Sequence, residues 1–299
     1  MAFWSSFNMH WISHFSFISN PLKKYSMHND TKLSTSRLFH YTYSKESLIG
    51  ILEKGFQPKF SLEKLGILKK EDITKFISKE LDIEVINEEI TDEFAIPMCC
   101  FCDIPLNLVE NHTKIYGEYA IGLKKDWGEK QSICPVIYLP EHGETQTLFE
   151  SLIRSYTKNI KKIHEIRIIK QEQSQYNEEL LYIDILNIYN NILHLTMFLK
   201  PYKGVYVRKG VTLEDYKFYD EREWRYKPNE YLCQSFMSKE EYLSYNSSEE
   251  RNKDMGYIDF DLSDITDIIV PVEEVNVIRN LVLNIPKFNN LDLKIIHSI

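Results

Sequence analysis

Apolar positions along this chain switch repeatedly between strand-like and helical spacing. Leu38-Phe39-His40-Tyr41-Thr42 is a short aromatic run that reads as a strand. Leu48, Ile51 and Leu52 then recur at helical spacing within residues 44–54, with Gly55 placed to end the helix and Pro58 to forbid its continuation. Residues 61–93 are a charged block in which Leu65, Leu68, Ile73 and Phe76 predict amphipathic helices. Residues 96–106 are almost wholly apolar between their two prolines, as in a strand buried on both faces, with Asp103 the exception. A short helix around His112, a second core strand over 116–123 and a third over 135–139 follow.

Residues 145–199 change period. Leu148, Leu152, Tyr156, Ile160 and Ile163 form one helical stripe, and Leu181, Ile185, Ile188, Ile192 and Leu195 form another, with a polar stretch over 170–179 between them. Strand patterning returns around Glu221-Arg222-Glu223-Trp224-Arg225 and closes through 258–262 and 268–270, before a last helix over 272–283. No internal repeat is visible. The pattern predicts an α+β fold, a mainly β scaffold carrying a long helical insertion at about 145–199. Residues 37–299 read as one domain and residues 1–36 as an N-terminal extension outside it.

That extension is unusual in composition. Its first 22 residues hold no Asp, Glu, Lys or Arg but include Phe3, Trp4, Phe7, Trp11, Phe15 and Phe17. Polar residues interrupt the run and Lys23-Lys24 come after it, the reverse of a secretory signal. Met27 is the expected natural start. No stretch approaches the twenty or so apolar residues a spanning helix needs, so a cytoplasmic chain with no membrane partner is expected.

Hydrophobic residues make up 43% and aromatics 13%, enough to build a sizeable core. The formal charge of −8 argues against a chain that coats nucleic-acid backbones, while leaving room for a local basic groove. Five cysteines, three of them crowded as Cys99, Cys100 and Cys102, suit a reduced compartment; no spacing matches a zinc site, and no metal is expected. P-loop, Rossmann and nucleophile-elbow motifs are all absent from the sequence.

Candidate chemistry concentrates in two places. On an extended strand Glu221, Glu223 and Arg225 would share one face, and Arg222, Trp224 and Tyr226 the other. Two carboxylates beside one Arg can hold two ribose hydroxyls or stabilise a developing cation; the alternative is an edge strand whose charges pair with solvent or a neighbour. His40, Tyr41 and Thr42 form the second place, where an imidazole flanked by a phenol and a hydroxyl can bind a ribose edge or a phosphate. Tyr116 and Tyr119, on either side of Gly117, could stack on a heterocycle or simply pack in the core. Asp103 is either an acid in a site or a helix cap.

Taken in order, Phe39-His40-Tyr41-Thr42, residues 49–56, residues 97–106, residues 116–127, Lys200-Pro201-Tyr202-Lys203-Gly204, residues 220–226 and residues 268–270 resemble the AbiGi family of abortive phage-resistance proteins. The similarity runs from about residue 37 to the C-terminus and implies an antitoxin working with a toxin encoded nearby. A more distant likeness, in the order of the His-bearing strand, glycine-ended helix, Tyr-bearing strand and late Glu strand, is to ADP-ribosyltransferases. That likeness implies a split mixed β-sheet core, NAD as cofactor and a nucleic-acid or protein target. In it Glu223 and Glu221 would be catalytic, and His40, Tyr41, Thr42, Tyr116, Tyr119 and Arg225 would bind the cofactor. A non-catalytic nucleotide-binding sensor is the third reading.

Overall fold

Strand β1 (Arg37–Thr42) opens the fold and feeds helix α1 (Lys45–Lys54). Ser44 caps that helix by accepting from the Ser47 amide at 3.2 Å. Gly55 ends it at φ +92°, where a Cβ would lie 2.6 Å from the Ile258 carbonyl oxygen, so only glycine fits. Strand β2 (Lys59–Lys64) comes next; the charged block expected to be helical from residue 61 therefore begins extended, paired along its whole length with β3 (Glu93–Cys102). The computed structural model describes residues 35–64, 93–152, 155, 187–188, 191–192, 194–208, 211–228, 236–252 and 255–298, so the predicted helices of 65–92, most of the first stripe of the insertion and the start of the second lie outside the described residues. All described residues fall within one unit, Leu33–Ile299.

Helix α2 (Glu110–Tyr116), strand β4 (Tyr119–Lys124) and helix α3 (Lys125–Lys130) follow. Tyr116 thus ends a helix instead of starting a strand: Gly117, at φ +103°, turns the chain against the Thr42 carbonyl and separates the two tyrosines. The single strand expected over 135–139 is two, β5 (Cys134–Pro135) and β6 (Ile137–Leu139). Pro135 has no N–H for a ladder, and the chain crosses over there to pair in parallel with β7 (Leu199–Pro201). Residues 144–152 and 194–196 are helical, at either end of the predicted insertion. A hairpin, β8 (Gly204–Arg208) and β9 (Val211–Tyr216), precedes β10 (Glu223–Tyr226), β11 (Met237–Ser238) and helix α4 (Lys239–Ser247), which starts with a reciprocal Ser238–Glu241 capping box. Residues 258–262 make only an isolated bridge, Phe56 with Ile258, and β12 (Ile265–Ile269), α5 (Val275–Leu283) and β13 (Ile296–His297) complete the chain.

The main sheet runs β13-β12-β4-β1-β3-β10-β5, antiparallel except for β12 with β13. Strand β3 is its spine. Its C-terminal residues pair with β1 and β10, while its N-terminal half pairs with β2 and β11, which splits the sheet. The architecture is α+β with a large mixed sheet. One face carries the main core: Leu38, Leu48, Leu52, Phe101, Ile121 and Ile268 surround Phe56, whose ring lies 5.1–5.8 Å from those of Phe101, Phe260 and Trp127. Each such buried side chain stabilises the fold by about 1.5–3 kcal/mol. The opposite face has a smaller layer built on Phe39, Cys102, Ile104 and Ala120. Among the described residues no helix is long and apolar enough to cross a membrane.

Candidate functional site

Glu221 is not on a strand. It ends a 3-10 turn, Phe218–Glu221, and Arg222 behind it is left-handed at φ +46° and ψ +48°. Asp103 holds that conformation. Its amide donates to the Arg222 carbonyl at 3.1 Å, while Arg222 Nε donates to the Asp103 carbonyl at 2.8 Å. The Asp103 carboxylate takes Lys125 Nζ at 2.7 Å, the Thr35 amide at 2.8 Å and Arg222 Nη2 at 3.3 Å. Asp103 is therefore the clasp of a turn, where the sequence offered an acid or a helix cap.

Beyond that turn, Glu223 faces Cys102 and Arg225 faces Cys100 across the β10–β3 ladder, so both side chains project from the face opposite the main core. Lys200, from β7, reaches between the carboxylates at 2.5 Å from Glu221 and 2.7 Å from Glu223. Arg225 Nε donates to Glu223 at 2.6 Å, Nη1 to the Met197 carbonyl at 2.7 Å and Nη2 to Glu63 of β2 at 2.9 Å. Tyr116 donates to the other Glu221 oxygen at 2.5 Å, and Tyr216 adds a second hydroxyl to that carboxylate. The result is a continuous chain, Glu63–Arg225–Glu223–Lys200–Glu221, ended by two phenols. Three carboxylates against two cations leave one net negative charge.

The electrostatics follow from burial and pairing. Burial alone would raise the Glu223 carboxyl, but Arg225 and Lys200 together outweigh it and hold the group well below the usual carboxylate range. Burial opposes the charge on Lys200 too, yet Glu223 and Glu221 keep it protonated far above its ordinary value. Burial and then the Glu221 charge push Tyr116 upward, so it remains a donor. Tyr138 accepts from the Glu223 amide at 2.8 Å, and Lys200 Nζ lies 4.9 Å from the Phe218 ring centre. Both oxygens of each carboxylate are already engaged, an arrangement suited to fixing elements in place.

Tyr116, Glu221, Glu223 and Arg225 thus come together, with Tyr41 on the same face, its ring 4.9 Å from that of His112. His40, Thr42 and Tyr119 do not join them. Phe39 pairs with Cys102, so His40 and Thr42 point the other way, and Tyr119 lies opposite Thr42 in register. His40 packs edge-on to Phe56 at 5.2 Å in the main core and is kept neutral by burial, its Nδ1 2.8 Å from the Cys100 carbonyl. Tyr119, through burial and then Glu274, is pushed up to about 12. The single NAD cleft expected from these residues is not formed: its two halves sit on opposite faces of the sheet, and Lys200 fills the gap between the carboxylates. Nothing in the strand pattern marks Lys200, Tyr138 or Tyr216 as site residues. The one available signal was the Lys200-Pro201-Tyr202-Lys203-Gly204 motif, which gives Lys200 no role by itself.

Residues 65–271 match the AbiGi family, described as "Putative abortive phage resistance protein AbiGi, antitoxin". A relative from Lactococcus lactis subsp. cremoris, "Abortive phage resistance protein AbiGi", is 27% identical over 220 residues, covering 66% of this chain and 81% of its own. The matched span holds every member of the charge chain except Glu63. No solved structure matches.

Proposed function

This chain belongs to the AbiGi family, and on that premise we propose that it is a phage-resistance protein that acts as an antitoxin, by binding a toxin partner. The observation that carries the reading is the family match itself, which contains Lys200, Glu221, Glu223 and Arg225 together with the β8–β9 hairpin. In this reading the saturated charge chain is a scaffold. It anchors the hairpin through Tyr216, and through Phe218 just beyond it, so that the outer face of the hairpin is held rigid.

That face is the candidate partner surface. Tyr206 turns inward at 8% exposure, while Val205 and Val207, its neighbours on the strand, stand 53% and 69% exposed. Among the described residues β8 and β9 pair only with each other. Apolar β-branched side chains on a rigid, otherwise unpaired ribbon suit docking to a protein. Co-purification of the full chain with the product of the neighbouring gene tests this. Val205→Asp and Val207→Asp should abolish co-purification and leave the melting temperature unchanged. Retention of the partner by both variants would reject the hairpin as the docking surface, and absence of any complex with the native chain would reject the partner-binding reading.

A further inference from the structure

The face of the sheet that carries His40 also holds a cavity of about 330 Å³, within the range of roughly 300–1,000 Å³ typical of small-molecule sites. Helix α1 lines it with Ser47, Gly50 and Lys54, one side of the helix, while Leu48 and Leu52 on the other side enter the core. His40 and Thr42 of β1 form its floor, and Tyr257, 42% exposed, adds an aromatic ring to its wall.

Three polar groups in this cavity are uncommitted. A carbonyl can only accept, so the contact of His40 Nδ1 with the Cys100 oxygen places the proton on Nδ1 and leaves Nε2 an acceptor. Among the described residues neither Nε2, nor the Thr42 hydroxyl, nor the Lys54 ammonium has a partner. Gly50 is the second, independent observation. A glycine inside a helix is costly relative to alanine, and here no packing demands it: a Cβ would meet nothing within 4 Å. What its missing side chain leaves behind is room in the cavity.

We propose that this cavity binds a small anion of the mononucleotide class. A ring N–H of the base faces the imidazole acceptor, the ring lies against Tyr257, and the phosphate meets Lys54, with Lys59 beside it. The ligand lies across the sheet from Glu223 and touches none of the charge chain, so the proposal is independent of the partner-binding reading.

Calorimetric titration of the full chain with AMP, GMP, CMP, UMP and inorganic phosphate tests it. GMP or UMP, whose bases carry a ring N–H, should bind more tightly than phosphate alone and more tightly than AMP or CMP, whose ring nitrogens only accept. Lys54→Glu, an exposed change, should weaken that nucleotide by about 10-fold or more, the cost of losing a charged hydrogen bond. Gly50→Leu fills the cavity with a better helix former, so it should abolish binding while the melting temperature holds or rises. Binding of no nucleotide at about millimolar concentration, equal binding of phosphate and nucleotides, or unchanged affinity in Gly50→Leu would each overturn the proposal.

Discussion

Replacing Lys200 by Met tests the charge chain at its centre. The Lys200 side chain is 11% exposed and lies within 2.7 Å of both Glu221 and Glu223. Its loss leaves two buried carboxylates facing one another and takes the net charge of the buried network from −1 to −2. Removing one partner of a buried pair costs about 3–5 kcal/mol, because the remaining charge stays buried and uncompensated. At about 2–4 °C per kcal/mol for a domain of this size, the melting temperature should fall by roughly 10 °C at pH 7. The pH dependence should also change. In the native chain Glu223 is held below its unfolded value, so its contribution is present above about pH 4.3 and is lost as pH falls through the folded value. In Lys200→Met only Arg225 still opposes the effect of burial on Glu223, so its folded value moves up towards the unfolded one. The variant's deficit relative to the native chain should therefore shrink as pH falls from 7 towards 5. Adding Glu221→Gln should restore about 1–3 kcal/mol by removing the repulsion. Thermal melts followed by tryptophan fluorescence across pH 5–8 would read both effects. A single variant within about 1 kcal/mol of native at pH 7, with a deficit that does not shrink on acidification, would refute the buried network.

Asp103→Ala should destabilise the fold by about 3–5 kcal/mol in chemical denaturation, since Lys125 and Arg222 lose a shared, buried partner. Trp224→Ala should cost about 2 kcal/mol in the same assay, less than full burial would give, because the indole is only half-buried with Lys125 5.1 Å from the ring centre. Gly117→Ala should cost well over about 1 kcal/mol, or block soluble expression, because its Cβ would sit 2.2 Å from the Thr42 carbonyl oxygen at φ +103°.

The local rules of the fold were legible in the sequence where short-range physics decides. The aromatic β1, the Gly55-terminated α1 and the doubly buried β3 follow from period, cap and apolar run. Long-range choices were less visible. Pro135 divides a strand because its partners, β10 and β7, lie far along the chain, and β2 is extended because β3 offers it a complete ladder. At the site, strand alternation put Glu221, Glu223 and Arg225 on one face; they do meet, but through a left-handed Arg222 held by an Asp 119 residues away. The same alternation, applied through the β1–β3–β10 register, places His40 and Glu223 on opposite faces, and that register could not be read without the pairing. Lys200 was hidden for a similar reason, since its partners are 21 and 23 residues away across a hairpin.

The central claim, that this chain is the binding half of a two-component defence, is tested most directly by growth on co-expression. Cells are plated with the neighbouring gene alone, with this chain alone, and with both. The chain alone should be tolerated, the neighbour alone should arrest growth, and the pair should grow. Growth arrest by this chain alone, relieved by Glu223→Gln, would contradict the claim and make the chain the active toxin.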